Sequence, residues 1–209
     1  MVKEVMNLVD QGLMLPLMEE FYTIQGEGFH KGKAAYFIRV GGCDVGCHWC
    51  DVKESWDAAR HPPTPIEHII ENATKYSDTI VITGGEPLSW DMAPLTKGLK
   101  EKKLKVHVET SGSHPLTGYW DWICLSPKKM KLPVGDIHQK ADELKVIVYN
   151  KHDFKFAEAQ AKSVRDDCVL LLQPEWGVRE KMMPLIVDYV MQHPKWRVSL
   201  QSHKYLNIP

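Results

Sequence analysis

The sequence predicts an α/β protein: one domain over residues 1–209, folded as a trimmed, open β/α barrel. Three observations predict it. Short apolar runs alternate with helix-like segments along most of the chain, the pattern of a parallel sheet covered by helices. Some connections, such as residues 111–119, are too short or too glycine-rich for a covering helix, which leaves fewer than eight full units. Polar clusters fall in series at the carboxyl ends of the expected strands, the edge where parallel sheets and barrels bind ligands.

Residues 34–40 (AAYFIRV) read as the first barrel strand, ending in Gly41-Gly42. Thr64-Pro65 opens a helix to about residue 76, with Pro65 at the first helical position, where a missing N–H costs least. Residues 79–83 (TIVIT) are a short apolar strand. Residues 91–103 form a helix with its acid at the start and lysines at the end, as the macrodipole favours. Strands follow at 105–110 (KVHVET), 121–125 (DWICL) and 144–149 (LKVIVY), then a helix near 153–165 and a strand at 168–173 (CVLLLQ). A long helix at 179–193 and a last strand at 196–201 complete the pattern.

Composition narrows the function classes. Twenty-six basic and 27 acidic side chains nearly cancel, so no broad field favours nucleic acid or an anionic membrane. The lysines at 97, 100, 102, 103 and 105 read as a solvated helix end. The apolar stretch 13–18, broken by Pro16, is too short for a signal peptide or a membrane span. Five cysteines, an odd count with three crowded together, do not make a disulfide framework, and a cytoplasmic protein with reduced thiols is the expectation. Cys124 and Cys168 sit in apolar strand patterns and read as core thiols. His107, alone in an alternating strand, reads as structural.

The chemistry begins at Cys43, Cys47 and Cys50, spaced C-x3-C-x2-C among Gly41, Gly42 and Gly46. Three thiolates from one short loop can hold three corners of a [4Fe–4S] cubane and leave the fourth iron open to a ligand. Zinc is the alternative. A structural zinc needs a fourth Cys or His at finger-like distance, and His48, between two of the thiols, is awkwardly placed for it. The spacing favours iron–sulfur. The other strand-end clusters are Gly84-Gly85-Glu86-Pro87, Glu109-Thr110-Ser111-Gly112, Ser126-Pro127-Lys128 and Gln173-Pro174.

With Trp49 in the x-aromatic place before Cys50, and Thr-Gly-Gly-Glu-Pro at 83–87 as a second motif, the chain resembles the radical S-adenosylmethionine (SAM) superfamily. That resemblance implies a partial barrel of the radical SAM type, a [4Fe–4S] cluster, and SAM chelated at the open iron and split by one electron to a hydrogen-abstracting radical. A closer resemblance spans nearly the whole chain. Tyr22-Thr-Ile-Gln-Gly-Glu-Gly28, Tyr36-Phe-Ile-Arg39, Cys47-His-Trp-Cys-Asp51 and the ending Gln201-Ser-His-Lys-Tyr-Leu-Asn-Ile-Pro209 are similar to the 7-carboxy-7-deazaguanine synthase family. This implies ring contraction of 6-carboxy-5,6,7,8-tetrahydropterin with loss of ammonia, on the route to queuosine and other 7-deazapurines. It also implies a homodimer, and a reductant such as flavodoxin or ferredoxin.

Carried over motif by motif, the resemblance implies these roles. Cys43, Cys47 and Cys50 hold the cluster. Trp49, Asp51, Gly84, Gly85 and Glu86 meet SAM near the cluster, with the glycines and Glu86 at its amino group. Glu109 and Ser111 lie near the ribose. Ser126, Pro127, Lys128, Gln173, Pro174, Glu175 and Trp176 lie along the nucleoside. Ile24, Gln25, Gly26 and Glu27 contact the pterin, Arg39 pairs with its carboxylate, Thr83 and His203 complete the pocket, and the Pro209 carboxylate accepts from the pterin amine side. The family commonly has Thr or Ser after Cys-Asp, whose hydroxyl helps hold magnesium. Here that position is Val52, which offers a hard cation no side-chain oxygen, so Mg2+ is in doubt. Two other readings stay open on the cysteine loop: a glycyl-radical activating enzyme, and a non-catalytic, zinc-stabilised α/β module.

Overall fold

The computed structural model describes residues 2–209. In chain order it contains helix α1 (Val2–Asp10), strands β1 (Met14–Ile24), β2 (Ala34–Val40) and β3 (Pro63–Pro65), helix α2 (Ile66–Ala73), β4 (Thr79–Gly84), α3 (Ala93–Glu101), β5 (Lys105–Thr110), β6 (Trp122–Leu125), α4 (Ile137–Lys140), β7 (Glu143–Val148), α5 (His152–Ala161), β8 (Val169–Pro174), α6 (Arg179–Gln192), β9 (Trp196–Val198) and α7 (Ser202–Leu206). The strands form one open sheet in the order β3-β1-β2-β4-β5-β6-β7-β8-β9. Neighbours from β2 to β9 are parallel, while β1 is antiparallel to both β2 and β3. No helix of the described residues is long and apolar enough to cross a membrane.

Side chains alternate across a strand, and the alternation separates core from cavity. Val106 and Val108 of β5, Leu144, Val146 and Val148 of β7, and Ile80 and Ile82 of β4 are fully buried in two apolar clusters with the helices. The residues between them, including Glu109, Lys145 and Thr83, face a common cavity. A register slip of one residue would bury every charge in the helix layer, so the apolar rows hold the polar rows in place. The two ends of the sheet are tied together without a strand ladder. Gly28 donates its N–H to Ser199 Oγ (3.0 Å), and Ser202 donates its N–H to the Gly26 carbonyl (2.8 Å).

The parallel part of the sheet and its strands lie where the alternation predicts, with ends shifted by a few residues. The 111–119 connection carries no helix, as expected. Four features differ. Pro65 is not the first helical residue: Pro63–Pro65 pairs as an edge strand with Met14–Pro16, and Pro65 precedes α2. The apolar stretch 13–18 belongs to an 11-residue strand, Met14–Ile24, which the sequence pattern did not mark. Pro16 is tolerated there because it faces Pro63 of the edge strand, where a missing donor leaves no ladder gap in the centre. The last strand stops at Val198, so Gln201 begins the tail. Helix α5 ends at Ala161.

Cys124 and Cys168 are buried, and burial pushes both thiols up, Cys168 to about 12. His107 packs near the His30 ring (4.7 Å) and burial pushes its imidazole down to about 4, as suits a structural, neutral ring.

Glu158 of α5 ties α5, α6 and β9 together. It accepts from Lys195 Nζ (2.7 Å), Trp196 Nε1 (2.7 Å) and Tyr189 Oη (2.9 Å). Burial alone would raise its carboxyl, but these donors outweigh burial and hold it down to about 2. A depressed carboxylate stabilises the fold above its ordinary value near 4.5 and loses that contribution as pH falls towards about 2. Glu158→Gln is therefore expected to flatten the acid side of the stability curve. Urea unfolding at a series of acid pH values checks this, and parallel wild-type and variant curves would contradict it.

Candidate active site

The cysteine loop follows β2 and curls against the Gly84-Gly85 turn that ends β4. Trp90 Nε1 donates to the Gly41 carbonyl (2.8 Å), and the N–H groups of Gly85 and Glu86 reach Val40 and Gly42 carbonyls (both 2.8 Å). Gly85 is required by this approach: a Cβ there would lie 2.3 Å from the Gly42 carbonyl oxygen and 3.1 Å from Cys43 Cβ.

All three thiols line one cavity of about 280 Å3. Burial pushes the Cys43 and Cys47 thiols up, with Lys128 drawing Cys47 partly back. A metal group there must displace protons to gain thiolates. Among the described residues, no three His, Cys, Asp or Glu side chains gather closely enough to hold a single metal ion, and no fourth cysteine lines the cavity. A lone zinc is poorly served by this arrangement. A cubane, which asks each thiolate to meet a different iron, fits three separated thiols on a glycine-bearing loop.

Glu86 anchors the second wall. It is 1 % exposed. One oxygen accepts from Leu88 N–H (3.1 Å) and the Thr110 hydroxyl, the other from Ser111 N–H (2.8 Å) and the Ser111 hydroxyl. Lys128 spans to Ser126 Oγ (2.8 Å) and lies over the Trp49 ring (5.9 Å), and burial lowers its ammonium. Gln173 of β8 accepts from Ser199 Oγ (2.7 Å). Glu175 caps its own turn by accepting from Gly177 N–H (2.9 Å), and Trp176 stacks under the Arg179 guanidinium (4.2 Å).

The opposite wall comes from the chain after β1 and from the tail. Gln25 donates to Glu109 (3.2 Å), and Glu27 accepts from Gln201 (2.9 Å). His203 packs so tightly on Gly26 that a Cβ there would sit 2.2 Å from its Nδ1. Lys204 donates to Asp51 (2.7 Å), latching α7 to the cysteine loop. Arg39 lies over the Phe21 ring (5.3 Å) and donates through Nη1 to Glu19 (2.8 Å).

Every residue given a cluster, SAM or pterin role from the sequence lines this cavity except Pro127, which borders a smaller neighbouring hollow with Trp49 and Lys128; Pro87 and Gly112 of the strand-end clusters do not line it. Ile24, Thr83, Pro174 and Pro209 are among the lining residues, as is Val52, whose side chain offers no oxygen. Lys145 and the aromatic Phe21 and Trp56 were missed, while Thr110, Gln201 and Phe37 lay within the quoted motifs but were given no role of their own. Lys145 had a signal: it is the charged residue inside the otherwise apolar run expected as a strand at 144–149.

Residues 37–146 match a family model described as the Radical SAM superfamily. A 7-carboxy-7-deazaguanine synthase from Flavobacterium psychrophilum is 68 % identical over the full length of both chains. One from Synechocystis sp. is 48 % identical, covering 92 % of this chain and 93 % of its own. The chain belongs to the 7-carboxy-7-deazaguanine synthase family of the radical SAM superfamily. A crystal structure of QueE from Escherichia coli superposes with a TM-score of 0.81 at 28 % identity, covering 96 % of this chain and 99 % of that one. A family member thus carries the open, partial barrel, with one antiparallel strand added beside the parallel run.

Proposed function

We propose that this chain is a radical SAM carbon–nitrogen lyase that converts 6-carboxy-5,6,7,8-tetrahydropterin to 7-carboxy-7-deazaguanine with loss of ammonia, in queuosine and 7-deazapurine biosynthesis. The observation that carries it is the shared cavity. Three thiols line one part of it, and a carboxylate-rich floor built by Gln25, Glu27 and Glu109 lines another. When bound through Cys43, Cys47 and Cys50, a [4Fe–4S] cluster with SAM supplies one-electron cleavage chemistry.

The protein's own part is to bind, orient and exclude water. Arg39 presents a planar guanidinium to the cavity, suited to the substrate carboxylate. Glu27 accepts N–H donors of the pterin ring. Gln25, Thr83, His203 and Pro209 close round it. Glu109, Ser111, Ser126, Lys128 and Gln173 line the nucleoside side. A homodimer, a cytoplasmic location and a reductant such as flavodoxin or ferredoxin belong to the same reading. The decisive experiment is anaerobic incubation of reconstituted protein with SAM, a reductant and the carboxy-tetrahydropterin, with mass detection. The deazaguanine product is expected, and SAM cleavage without it would overturn the assignment.

Magnesium does not fit a side-chain hydroxyl ligand here. Val52 has none, and its carbonyl already accepts from Ser55 Oγ (2.6 Å) and Ser55 N–H (3.1 Å). Turnover is therefore expected to respond weakly to magnesium. The check is activity after chelation: complete loss, restored by added magnesium, would refute it.

A further inference from the structure

Lys145 stands in the middle of β7 and is 4 % exposed. Its ammonium lies 2.7 Å from Glu27 Oε2 and 2.8 Å from Glu109 Oε2. Three separate parts of the chain meet there: the segment after β1, β5 and β7. Each carboxylate has its second oxygen held as well, Glu27 by Gln201 (2.9 Å) and Glu109 by Gln25 (3.2 Å). A buried cation shared by two fixed carboxylates leaves a net negative charge at the cavity floor.

We propose that Lys145 is a positioning residue of the reaction: its ammonium fixes Glu27 against Glu109 and presents Glu27 in ionised form to the pterin. This rests on the reading of the cavity as the pterin and SAM site. Burial opposes an ionised Glu27, and without a cation it would be pushed up. Lys145, helped by hydrogen bonds from Gln173 and Gln201, instead holds it down to about 2. Burial alone would lower the Lys145 ammonium, but Cys124 and the carboxylates of Glu109, Glu27 and Glu143 around it outweigh burial and keep it well above its ordinary value.

The other titratable groups facing this pair do not replace it. Glu143 lies two residues earlier on the same strand. Burial, with Glu109 beside it, pushes its carboxyl up, and one of its oxygens is buried without a partner. Cys124, opposite on β6, is pushed up as a thiol by burial. His203 from the tail is pushed down by burial and so is neutral at neutral pH. Lys128, beyond β6, is occupied by Ser126. Among the described residues, the cation that faces Glu27 within hydrogen-bonding distance is Lys145.

The test is Lys145→Met and Lys145→Gln, with kcat/KM for the pterin followed from about pH 6 to about pH 9. Wild type is expected to be flat on the acid side. Either variant is expected to lose on the order of 100-fold at neutral pH, mainly in KM. Much of this should return as pH rises, because raising the pH deprotonates Glu27. A merely structural role would give a loss independent of pH, and that result overturns the proposal.

A second readout needs no cofactor. In metal-free protein, infrared difference spectra should show an additional carboxylic-acid band in Lys145→Met at neutral pH, absent when Glu27→Gln is added. If both variants fail to fold, acid titration of wild type against Glu27→Gln decides: a Glu27 that protonates near the ordinary carboxylate value overturns the proposal, and one that stays ionised to about pH 2 supports it. Wild type that never turns over the pterin would sink the functional reading alone, since the infrared titration still reports on Lys145 and Glu27.

Discussion

Cys43→Ala, Cys47→Ala and Cys50→Ala are each expected to yield protein that binds little iron, stays nearly colourless under anaerobic reconstitution and makes no product. The physical reason is that the loop has no substitute ligand. Asp51 is held by Lys204, and Cys124 and Cys168 are buried outside the cavity lining. Two thiolates can tether an iron–sulfur core, but an unheld second iron is open to water and to loss. The fold itself should survive, because Cys43 and Cys50 are half-buried and side chains at such positions typically change stability by less than about 1 kcal/mol when trimmed. Cys168→Ala is the control. It removes a buried thiol from the apolar cluster around Met182 and Ile186, costs on the order of 1 kcal/mol, and should keep colour and turnover. Iron and sulfide analysis with the absorption spectrum is the measurement. Full iron in any of the three loop variants, or loss of iron in Cys168→Ala, would break the assignment of ligands.

How much of this was readable beforehand differs by residue type. The parallel strands were legible because each is a short run, either mostly apolar or apolar at every second position, set between turn residues, and the cluster loop because three cysteines in eight residues have few other uses. Strand β1 was not legible. Pro16, Glu19 and Glu20 interrupt it, and beyond its pairing with the short edge strand β3 the exposed residues Glu19, Tyr22 and Ile24 follow no period of two, so neither periodicity nor composition marks it. Lys145 was hidden by the reverse cause. In the run LKVIVY its neighbours are so apolar that the strand reads as uniformly buried, while the period of two sends Leu144 and Val146 into the core and Lys145 into the cavity. The roles given to the lining residues came from motif resemblance. The structure adds which of them touch one another, and that information depends on chain segments more than 80 residues apart, such as Gln25 and Glu109.

Glu86→Ala is expected to destabilise the protein by about 4 kcal/mol, counting two stranded N–H donors at about 1–3 kcal/mol each and the space left behind. The carboxylate accepts from Leu88 and Ser111 N–H groups, which have no freedom to turn elsewhere, and from the Thr110 and Ser111 hydroxyls, which do. Ser111, for instance, already contacts Ser113 Oγ (3.0 Å). Glu86→Gln keeps the shape but turns an NH2 towards two of the four donors, so about half that loss is expected. The size of the effect separates two roles. A residue that only met the SAM amino group would raise the SAM concentration needed while leaving urea unfolding unchanged. A carboxylate whose four lone-pair directions are filled by protein donors instead holds the end of β4 to the end of β5, and so sets the distance between the cysteine loop and Ser111. Loss of stability and of SAM affinity should then fall together in Glu86→Ala, with Glu86→Gln between it and wild type. Wild-type unfolding in Glu86→Ala would show that the four donors find other partners, and would return Glu86 to a role in ligand binding alone.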